Sequence, residues 1–466
     1  RTVEVPVCLD GRRVGTLYVE PAGTDTSFRT ACTGLPAGLY RLYACGVGGQ
    51  LLLGVTEDGR LHRRYSAAMT APLGAVTRCT AQPVQTAPWR PLTPSDGFPW
   101  PVPAGALLHR EGGSTRLAAP WPPEAPFPLT ELFCFAAVTH REGRRTVLYT
   151  FSGGWIAEMQ HTETPVTMAR TCLESTTGAS SSRANPGFLL AAPNAAETAG
   201  EVCGFNLLYS GSHYLSAQKS LQGLTRVMHG ISPANFNWEL APGERFETPE
   251  AVMAWSDAGF GGITDCFGRY VNEALIPPYW KNRPRPIVYN SWEGCMFDFT
   301  EAKLLRLGKL AKQLGCELFV LDDGWFGKRD SDTSSLGDYS VNAKKLPNGL
   351  KGLGEKLNAM GLQFGLWFEP ESVSPDSELY RRHPDWALHD SLGRTDLLGR
   401  HQLLLDLTKP EVRDYIVESV GGILDSAPIS YVKWDMNRHS CALGAKQHEF
   451  ILGLYDVLRR IFEPRP

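Results

Sequence analysis

Four apolar segments that are typical of buried strands alternate with helical segments in the C-terminal part of the chain. The strand-like segments are residues 287–293, 317–323, 363–369 and 431–435. Helical segments follow them, beginning near residues 300, 350, 408 and 447. Strands that alternate with helices indicate βαβ units, in which a helix connects two parallel strands. The pattern therefore predicts a parallel sheet for this part of the chain.

Two of the predicted helices begin with recognisable capping signals. Thr300 is a good N-cap residue and precedes an apolar stripe that contains Leu304 and Ala311. Residues 408–411, with the sequence TKPE, form a capping box with a proline early in the helix. Both signals predict that a helix begins at that point.

Each predicted strand ends in polar or aromatic side chains. These are Trp292 and Glu293, Asp322 and Asp323, Trp367 and Glu369, and Lys433 and Asp435. The catalytic groups of β/α barrels lie at the carboxyl ends of several strands, and open doubly wound sheets bind ligands at the same place. The glycine-rich turn of a dinucleotide-binding fold does not follow the first strand, which favours a barrel.

Before residue 276 the signals are those of β structure. Residues 1–95 predict a small all-β accessory module, and residues 129–275 are again rich in strand-forming side chains. The stretch between them, 96–128, is rich in proline. Because proline cannot donate to a strand ladder, this stretch predicts an irregular linker. Residues 276–466 would form the barrel domain.

Composition and charge exclude several classes of protein. A net charge of -3 argues against a nucleic-acid or anionic-membrane partner, and no apolar run approaches the roughly 18 residues of a membrane span. The 11 cysteines are scattered singly, which predicts reduced thiols in the cytoplasm. No metal-ligand spacing is evident, so we expect no metal. The first residue, Arg1, is not methionine, and we expect the amino terminus to be incomplete.

Carboxylates mixed with tryptophans suggest a sugar site. Carboxylates accept hydrogen bonds from hydroxyls, and aromatic faces stack on the apolar side of a sugar ring. Glycoside hydrolysis uses two carboxyl groups, one of them ionised as nucleophile or base, and Lys433 beside Asp435 would favour the ionised form. The alternative interpretation is a simple Lys–Asp pair on one face of a strand.

Several longer motifs resemble the microbial α-galactosidases of glycoside hydrolase family 36. They are LDDGWF at 321–326, LWFEPE at 366–371, GRHQLLLDL at 399–407 and KWDMNR at 433–438, with NSWE at 290–293 and DTSSLGD at 332–338. The resemblance covers roughly residues 130–466. It implies a β-sandwich followed by a (β/α)8 barrel of which about the first half is present. It also implies a retaining enzyme that removes terminal α-D-galactosyl residues from oligosaccharides such as the raffinose family.

The resemblance assigns roles to individual side chains. Asp435 would be the catalytic nucleophile, and Asp322 and Asp323 would bind galactose hydroxyls. Trp367 would wall the sugar site, and Arg400 and Lys433 would donate hydrogen bonds to hydroxyls. No cofactor and no metal are implied, and the expected partner is an α-galactoside oligosaccharide, with no nucleic acid and no membrane. Formation of a homo-oligomer stays open.

The sequence also departs from the family pattern. The family's general acid/base is an aspartate beyond the fourth strand, whereas this sequence ends at Pro466. We therefore expect a truncated barrel and an inactive chain derived from an α-galactosidase. Two alternatives remain: a non-catalytic carbohydrate-binding protein, and a hydrolase or transglycosylase for N-acetylgalactosamine or another α-hexose.

Overall fold

The computed structural model describes residues 2–22, 25–36, 40–56, 59–83, 90–93, 107–111, 114–118, 127–129, 133–138, 145–181, 183–221, 223–234, 236–241, 244–390, 392–394, 399–439 and 443–465. The chain forms two compact units, Arg1–Pro120 with Phe462–Pro466, and Trp121–Ile461. Within the described residues, no helix has the length and the apolar character needed to cross a bilayer.

The first unit is built of strands. They are Val3–Leu9 (β1), Arg12–Ala22 (β2), Asp25–Cys32 (β3), Tyr40–Gly46 (β4), Gly49–Thr56 (β5), Arg60–Ser66 (β6), Val76–Pro83 (β7), Arg90–Pro91 (β8), Leu107–Glu111 (β9) and Ser114–Ala118 (β10), with a short helix Ala67–Thr70 (α1) and a 3-10 turn Ala71–Leu73 before β7. The order in the larger sheet is β5-β4-β7-β1-β2-β3-β6. Alternate side chains of these strands, among them Leu17, Phe28 and Leu42, are fully buried and form the core. This region is all-β, as predicted.

A hairpin lies inside the stretch for which the sequence predicts an irregular linker. The strands β9 and β10 pair antiparallel, with Leu107 opposite Ala118 at one end and Glu111 opposite Ser114 at the other. Leu108 is buried. These residues lie between the proline clusters, so no proline interrupts their ladder. The clusters themselves, in 84–89, 94–106 and 119–126, lie outside the described residues. The predicted domain boundaries stay predictions.

A β-sandwich opens the second unit. Its strands are Phe127–Leu129 (β11), Phe133–Val138 (β12), Val147–Gly154 (β13), Ala157–Pro165 (β14), Thr171–Glu174 (β15), Gly187–Ala191 (β16), Val202–Leu208 (β17), His213–Lys219 (β18), Thr225–Ile231 (β19), Trp238–Leu240 (β20) and Glu250–Ser256 (β21). One sheet has the order β12-β19-β18-β15 and the other β14-β13-β16-β17-β21. Leu148 and Phe188 of the second sheet pack with Leu215 of the first in one buried cluster.

The outer face of the second sheet is covered by the helix Gly259–Tyr270 (α2). Ile263 of this helix is buried with Val202 of β17. Gly204 allows the close approach, because a Cβ at that position would lie 2.4 Å from the ring of Phe267. A π turn, Val271–Leu275, and a 3-10 turn, Pro278–Trp280, lead from α2 to the next domain.

The remainder of the second unit is a parallel β/α sheet, as predicted. Its strands are Val288–Asn290 (β22), Leu318–Leu321 (β23), Gln363–Phe368 (β24) and, after the short antiparallel pair Ser372–Val373 (β25) and Leu403–Leu404 (β26), Ile429–Trp434 (β27). The sheet order is β22-β23-β24-β27, with all neighbours parallel. The helices are Trp292–Cys295 (α3), Glu301–Gln313 (α4), Gly349–Ala359 (α5), Glu378–Arg382 (α6), Pro410–Ser426 (α7) and Gln447–Phe462 (α8), with 3-10 turns at Pro384–Trp386 and Gly444–Lys446.

One of the two predicted helix caps is confirmed. Thr300 accepts a hydrogen bond from Lys303 N at 3.3 Å and caps α4. The capping box predicted at 408–411 is wrong, because the N-cap of α7 is Lys409 and makes no side-chain cap bond. The helix begins one residue later than the capping box implies, and the Thr408 hydroxyl donates to Asp406 Oδ1 at 2.6 Å.

An aromatic cluster around His448 joins the sandwich to the start of α8. The rings of Phe236, Trp238 and Phe246 lie 5.1–6.1 Å from the His448 ring. The Tyr209 hydroxyl and His448 Nδ1 are 3.0 Å apart. Burial lowers the pKa of His448 to about 4, so the imidazole is neutral in the folded protein near pH 7.

Candidate active site

The carboxyl ends of the parallel strands bring four of the predicted site residues together. Lys433 Nζ, on β27, donates to Asp322 Oδ2 after β23 at 2.7 Å. Trp367 Nε1, on β24, donates to Asp435 Oδ2 after β27 at 3.1 Å. These contacts join three neighbouring strands at one edge of the sheet.

Asp322 is buried and well supplied with donors. Its Oδ2 accepts from Asn290 Nδ2 and from Lys433 Nζ, both at 2.7 Å, and its Oδ1 accepts from Asp323 N at 2.9 Å. Lys433 supplies the matching positive charge.

Asp323 lies against an arginine that the sequence analysis did not select. Arg329 Nε and Nη2 donate to its carboxylate at 2.8–3.2 Å. Only 2% of Arg329 and 6% of Asp323 is exposed. Burial raises the pKa of Asp323, and the hydrogen bonds and charge of Arg329 oppose that rise. The pair is a buried, fork-shaped ion pair at the edge of the site.

Asp435 is held by its backbone as well as by its side chain. Its N–H donates to Phe368 O at 2.8 Å, which continues the pairing of β24 with β27. Trp367 is buried and donates its indole N–H to Asp435. Its ring is stacked on Phe326, with ring centres 6.2 Å apart. Trp367 therefore presents its N–H edge to Asp435, and its role as a wall of a sugar site stays a prediction.

Arg400 lies in a tight turn with unusual backbone angles. Arg400 and His401 have φ of 53° and 61°, between Gly399 and Gln402, which are bridged antiparallel. Two successive positive φ angles are those of a type I′ turn, which usually contains asparagine and glycine. Each non-glycine residue there costs about 1–2 kcal/mol. The turn presents Arg400 Nη1 to Asn437 Oδ1 at 2.5 Å, so Arg400 reaches the loop of Asp435 rather than Asp322.

We expect His401→Gly to raise the free energy of unfolding by roughly 0.5–1 kcal/mol, since the relief of left-handed strain exceeds the extra chain entropy of glycine. Urea denaturation measures the change. His401→Ala is the matched control, because it also removes the exposed imidazole but keeps the Cβ that causes the strain. An equal gain in both variants would contradict the assignment of strain to the turn.

Two residues named at the end of the first strand do not belong to a strand. Trp292 and Glu293 begin the short helix α3, because Asn290 Oδ1 accepts a hydrogen bond from Trp292 N at 2.8 Å and turns the chain. Glu293 is exposed, and Trp292 packs edge-on against Phe297. Asn290, not Glu293, is the side chain that reaches Asp322.

Glu369 directly follows β24, and the sequence pattern predicts it as a strand-end side chain without a role in the site. It accepts hydrogen bonds from Asn437 N at 3.1 Å, from Asn437 Nδ2 at 3.2 Å and from Gln402 Nε2. Burial raises its pKa to about 7, and the nearby charge of Asp435 adds to the rise. The alternation of side chains along β24 could have found it, because Trp367 and Glu369 are two residues apart and so lie on one face.

Two family models match the chain. Residues 245–466 match the model described as Melibiase, and residues 127–241 match the Glycosyl hydrolase family 36 N-terminal domain. Alpha-galactosidase AgaA of Geobacillus stearothermophilus is 47% identical over 319 residues, which are 66% of this chain and 44% of that protein. The two models together cover the sandwich and the parallel sheet.

Solved structures of the same family have the same fold. The GH36 alpha-galactosidase AgaB of Geobacillus stearothermophilus aligns over 100% of this chain and 57% of its own, with 34% identity and a TM-score of 0.71. A variant of AgaA in complex with raffinose aligns over the same shares, with 34% identity and a TM-score of 0.69. The chain thus spans about half the length of the relatives it matches. It belongs to glycoside hydrolase family 36.

Proposed function

We propose that the protein is a retaining α-galactosidase that removes terminal α-linked galactose from oligosaccharides of the raffinose type. The observation that carries the proposal is the pair of contacts between strand ends, Lys433 with Asp322 and Trp367 with Asp435. They bring two carboxylates and a cation to one edge of the sheet, which supports a sugar site there. Family membership and the raffinose complex of a relative support the choice of sugar.

In the proposed reaction, Asp435 attacks the anomeric carbon of the bound galactose. The bond to the leaving oxygen breaks, and a covalent galactosyl ester forms on Asp435. The proton for that oxygen would come from the family's general acid, an aspartate that follows the fourth strand. Water then attacks the same carbon, and the acid, now a base, takes its proton. Two inversions give net retention. Because Trp367 Nε1 donates to Oδ2 of Asp435, we assign the attack to Oδ1.

The residues around Asp435 would bind and orient the sugar. Asp322 accepts hydrogen bonds from ring hydroxyls, and Lys433, which forms an ion pair with Asp322, donates to them. Arg400, which contacts Asn437 in the loop after Asp435, donates a further hydrogen bond to a sugar hydroxyl. In this proposal Asp323 orients the site through Arg329 and offers its remaining lone pairs to a hydroxyl.

A substrate panel tests the proposal. We expect the full-length protein, in which all rates below are measured, to hydrolyse p-nitrophenyl α-D-galactoside at least about 100-fold faster, in kcat/KM, than the α-N-acetylgalactosaminide, the α-glucoside or the β-galactoside. The first sugar released should be the α-anomer, which proton NMR detects before mutarotation. A preference for the N-acetylated sugar would assign the chain to a different α-glycosidase. Raffinose binding by calorimetry without turnover would indicate a carbohydrate-binding protein instead.

A further inference from the structure

A chain of hydrogen bonds links Arg400 to Glu369 through Asn437. Arg400 Nη1 donates to Asn437 Oδ1 at 2.5 Å, and Asn437 Nδ2 donates to Glu369 Oε2 at 3.2 Å. Arginine can only donate, so the Asn437 amide must turn its oxygen to Arg400 and its nitrogen to Glu369. The amide thus connects a positive group to a negative one with each end in its required orientation.

Glu369 also holds the backbone of the loop that follows the proposed nucleophile. Asn437 N, two residues after Asp435, donates to Glu369 Oε1 at 3.1 Å. Gln402 Nε2 and Ser372 Oγ donate to the same oxygen. Gln402 closes the strained turn of Arg400, so one carboxylate contacts both segments that bring functional groups to the site.

We propose that Glu369 is a positioning residue for the proposed hydrolysis: as a carboxylate it fixes Asn437 and Gln402, and through them the nucleophile Asp435 and the guanidinium of Arg400. This inference rests on the proposed function and names a residue that acts on the reaction without touching the sugar. Three N–H groups donate to the oxygens of Glu369, and among these partners only the Ser372 hydroxyl could accept a proton from an uncharged acid. The geometry therefore favours the charged form.

A second consequence concerns charge. Burial is the main cause of the raised pKa of Glu369, and repulsion by the charge of Asp435 adds to it. When Asp435 becomes a galactosyl ester its charge disappears, and the repulsion is relieved. An ionised Glu369 therefore favours the step in which the ester forms, since it raises the energy of the free nucleophile more than that of the ester.

Glu371 provides a matched control within the same strand end. It is fully buried, and its pKa is raised well above its usual value by burial and by the charge of Glu369. Its Oε2 accepts from Trp434 Nε1 at 2.8 Å, and its Oε1 has no partner among the described residues. A cavity of about 10 Å³, lined by Gly178, Met436 and Phe450, adjoins it and is large enough for about one water. Burial thus favours the uncharged acid at Glu371, which glutamine resembles in shape and charge.

The test compares the same substitution at both positions. We expect Glu369→Gln to lower kcat/KM for p-nitrophenyl α-D-galactoside about 100-fold, the scale of a misplaced reacting group. We expect Glu371→Gln to stay within about threefold of wild type, because burial favours the neutral acid there and an amide resembles that form. Equal rates in the two variants would overturn the inference and leave the proposed function intact.

The pH profile separates positioning from mere structural support. The charged and titratable groups that face Glu369 or its partners are Asp435, Glu371, Tyr339, whose hydroxyl accepts from Glu369 N, Arg400 through Asn437, and Arg438 through Gln402. Because the carboxylate is required and its pKa is about 7, kcat/KM of the wild type should fall as pH drops below about 7. In Glu369→Gln that fall should move to lower pH.

Two further outcomes are distinguishable. If Glu369→Gln fails to fold, the wild-type profile decides, and an acid limb well below pH 6 would overturn the inference. If the wild type shows no turnover of any α-galactoside, the proposed function fails. Raffinose binding, measured by calorimetry, then tests the inference. We expect Glu369→Gln to bind at least about tenfold more weakly than wild type and Glu371→Gln to bind as tightly as wild type.

Discussion

Asp435→Asn is expected to lower kcat for α-galactoside hydrolysis about 10⁴-fold or more, the scale observed when an enzyme loses its nucleophile. The amide has almost the shape of the carboxylate, and its oxygen can still accept the hydrogen bond from Trp367 Nε1. An uncharged amide does not form the ester with the anomeric carbon, so the covalent step is lost. Initial rates on p-nitrophenyl α-D-galactoside measure the effect.

The control for this variant is Asp298→Asn, the same change at a carboxylate that is fully exposed. It should leave kcat unchanged. Raffinose affinity of Asp435→Asn should stay within about tenfold of wild type, because the proposed binding groups Asp322, Lys433 and Arg400 remain. A kcat above about a tenth of the wild-type value would show that Asp435 is not the nucleophile.

Arg329→Met should lower the free energy of unfolding by about 3–5 kcal/mol at neutral pH, because it leaves the buried Asp323 without its counter-ion. Methionine fills a similar volume, so packing changes little and the loss reports mainly the uncompensated charge. Arg329 Nη1 also donates to Ser334 O at 2.9 Å, and that bond is lost as well. Urea denaturation at pH 7 measures the change.

The penalty should shrink as the pH falls. Without Arg329, the folded-state pKa of Asp323 would lie above its unfolded value of about 3.9, so protonation favours the folded variant. The matched control is Arg381→Met, which removes an exposed arginine from Asp376 and Glu378 and should cost at most about 1 kcal/mol. A loss below about 1 kcal/mol in Arg329→Met would show that Asp323 tolerates burial without its partner.

Local sequence patterns predict much of the second unit. The alternation of apolar strands with helices is sufficient for the parallel order β22-β23-β24-β27. The rule that parallel strands end at one edge is sufficient to bring Asp322, Lys433 and Asp435 together. Both inferences depend on periodicity, which is encoded within a few residues.

The parts that were missed depend on contacts that no local pattern encodes. Arg329 lies in a long polar loop, and nothing distinguishes it there from Lys328 until the loop folds back on Asp323. The turn at Arg400 contains residues that rarely adopt positive φ, so sequence preferences argue against the conformation observed. Thr408 is not the cap because α7 begins one residue later than the capping-box pattern implies, with Lys409 at the N-cap position.

The ring cluster around His448 limits how this protein can be dissected. Tyr209, Phe236 and Trp238 come from the region matched by one family model, and His448 comes from the region matched by the other. Separate expression of either region would expose aromatic faces to solvent and deprive a buried imidazole of its hydrogen-bond partner. The two family models meet between residues 241 and 245. We nevertheless expect the two regions to fold together as one cooperative unit.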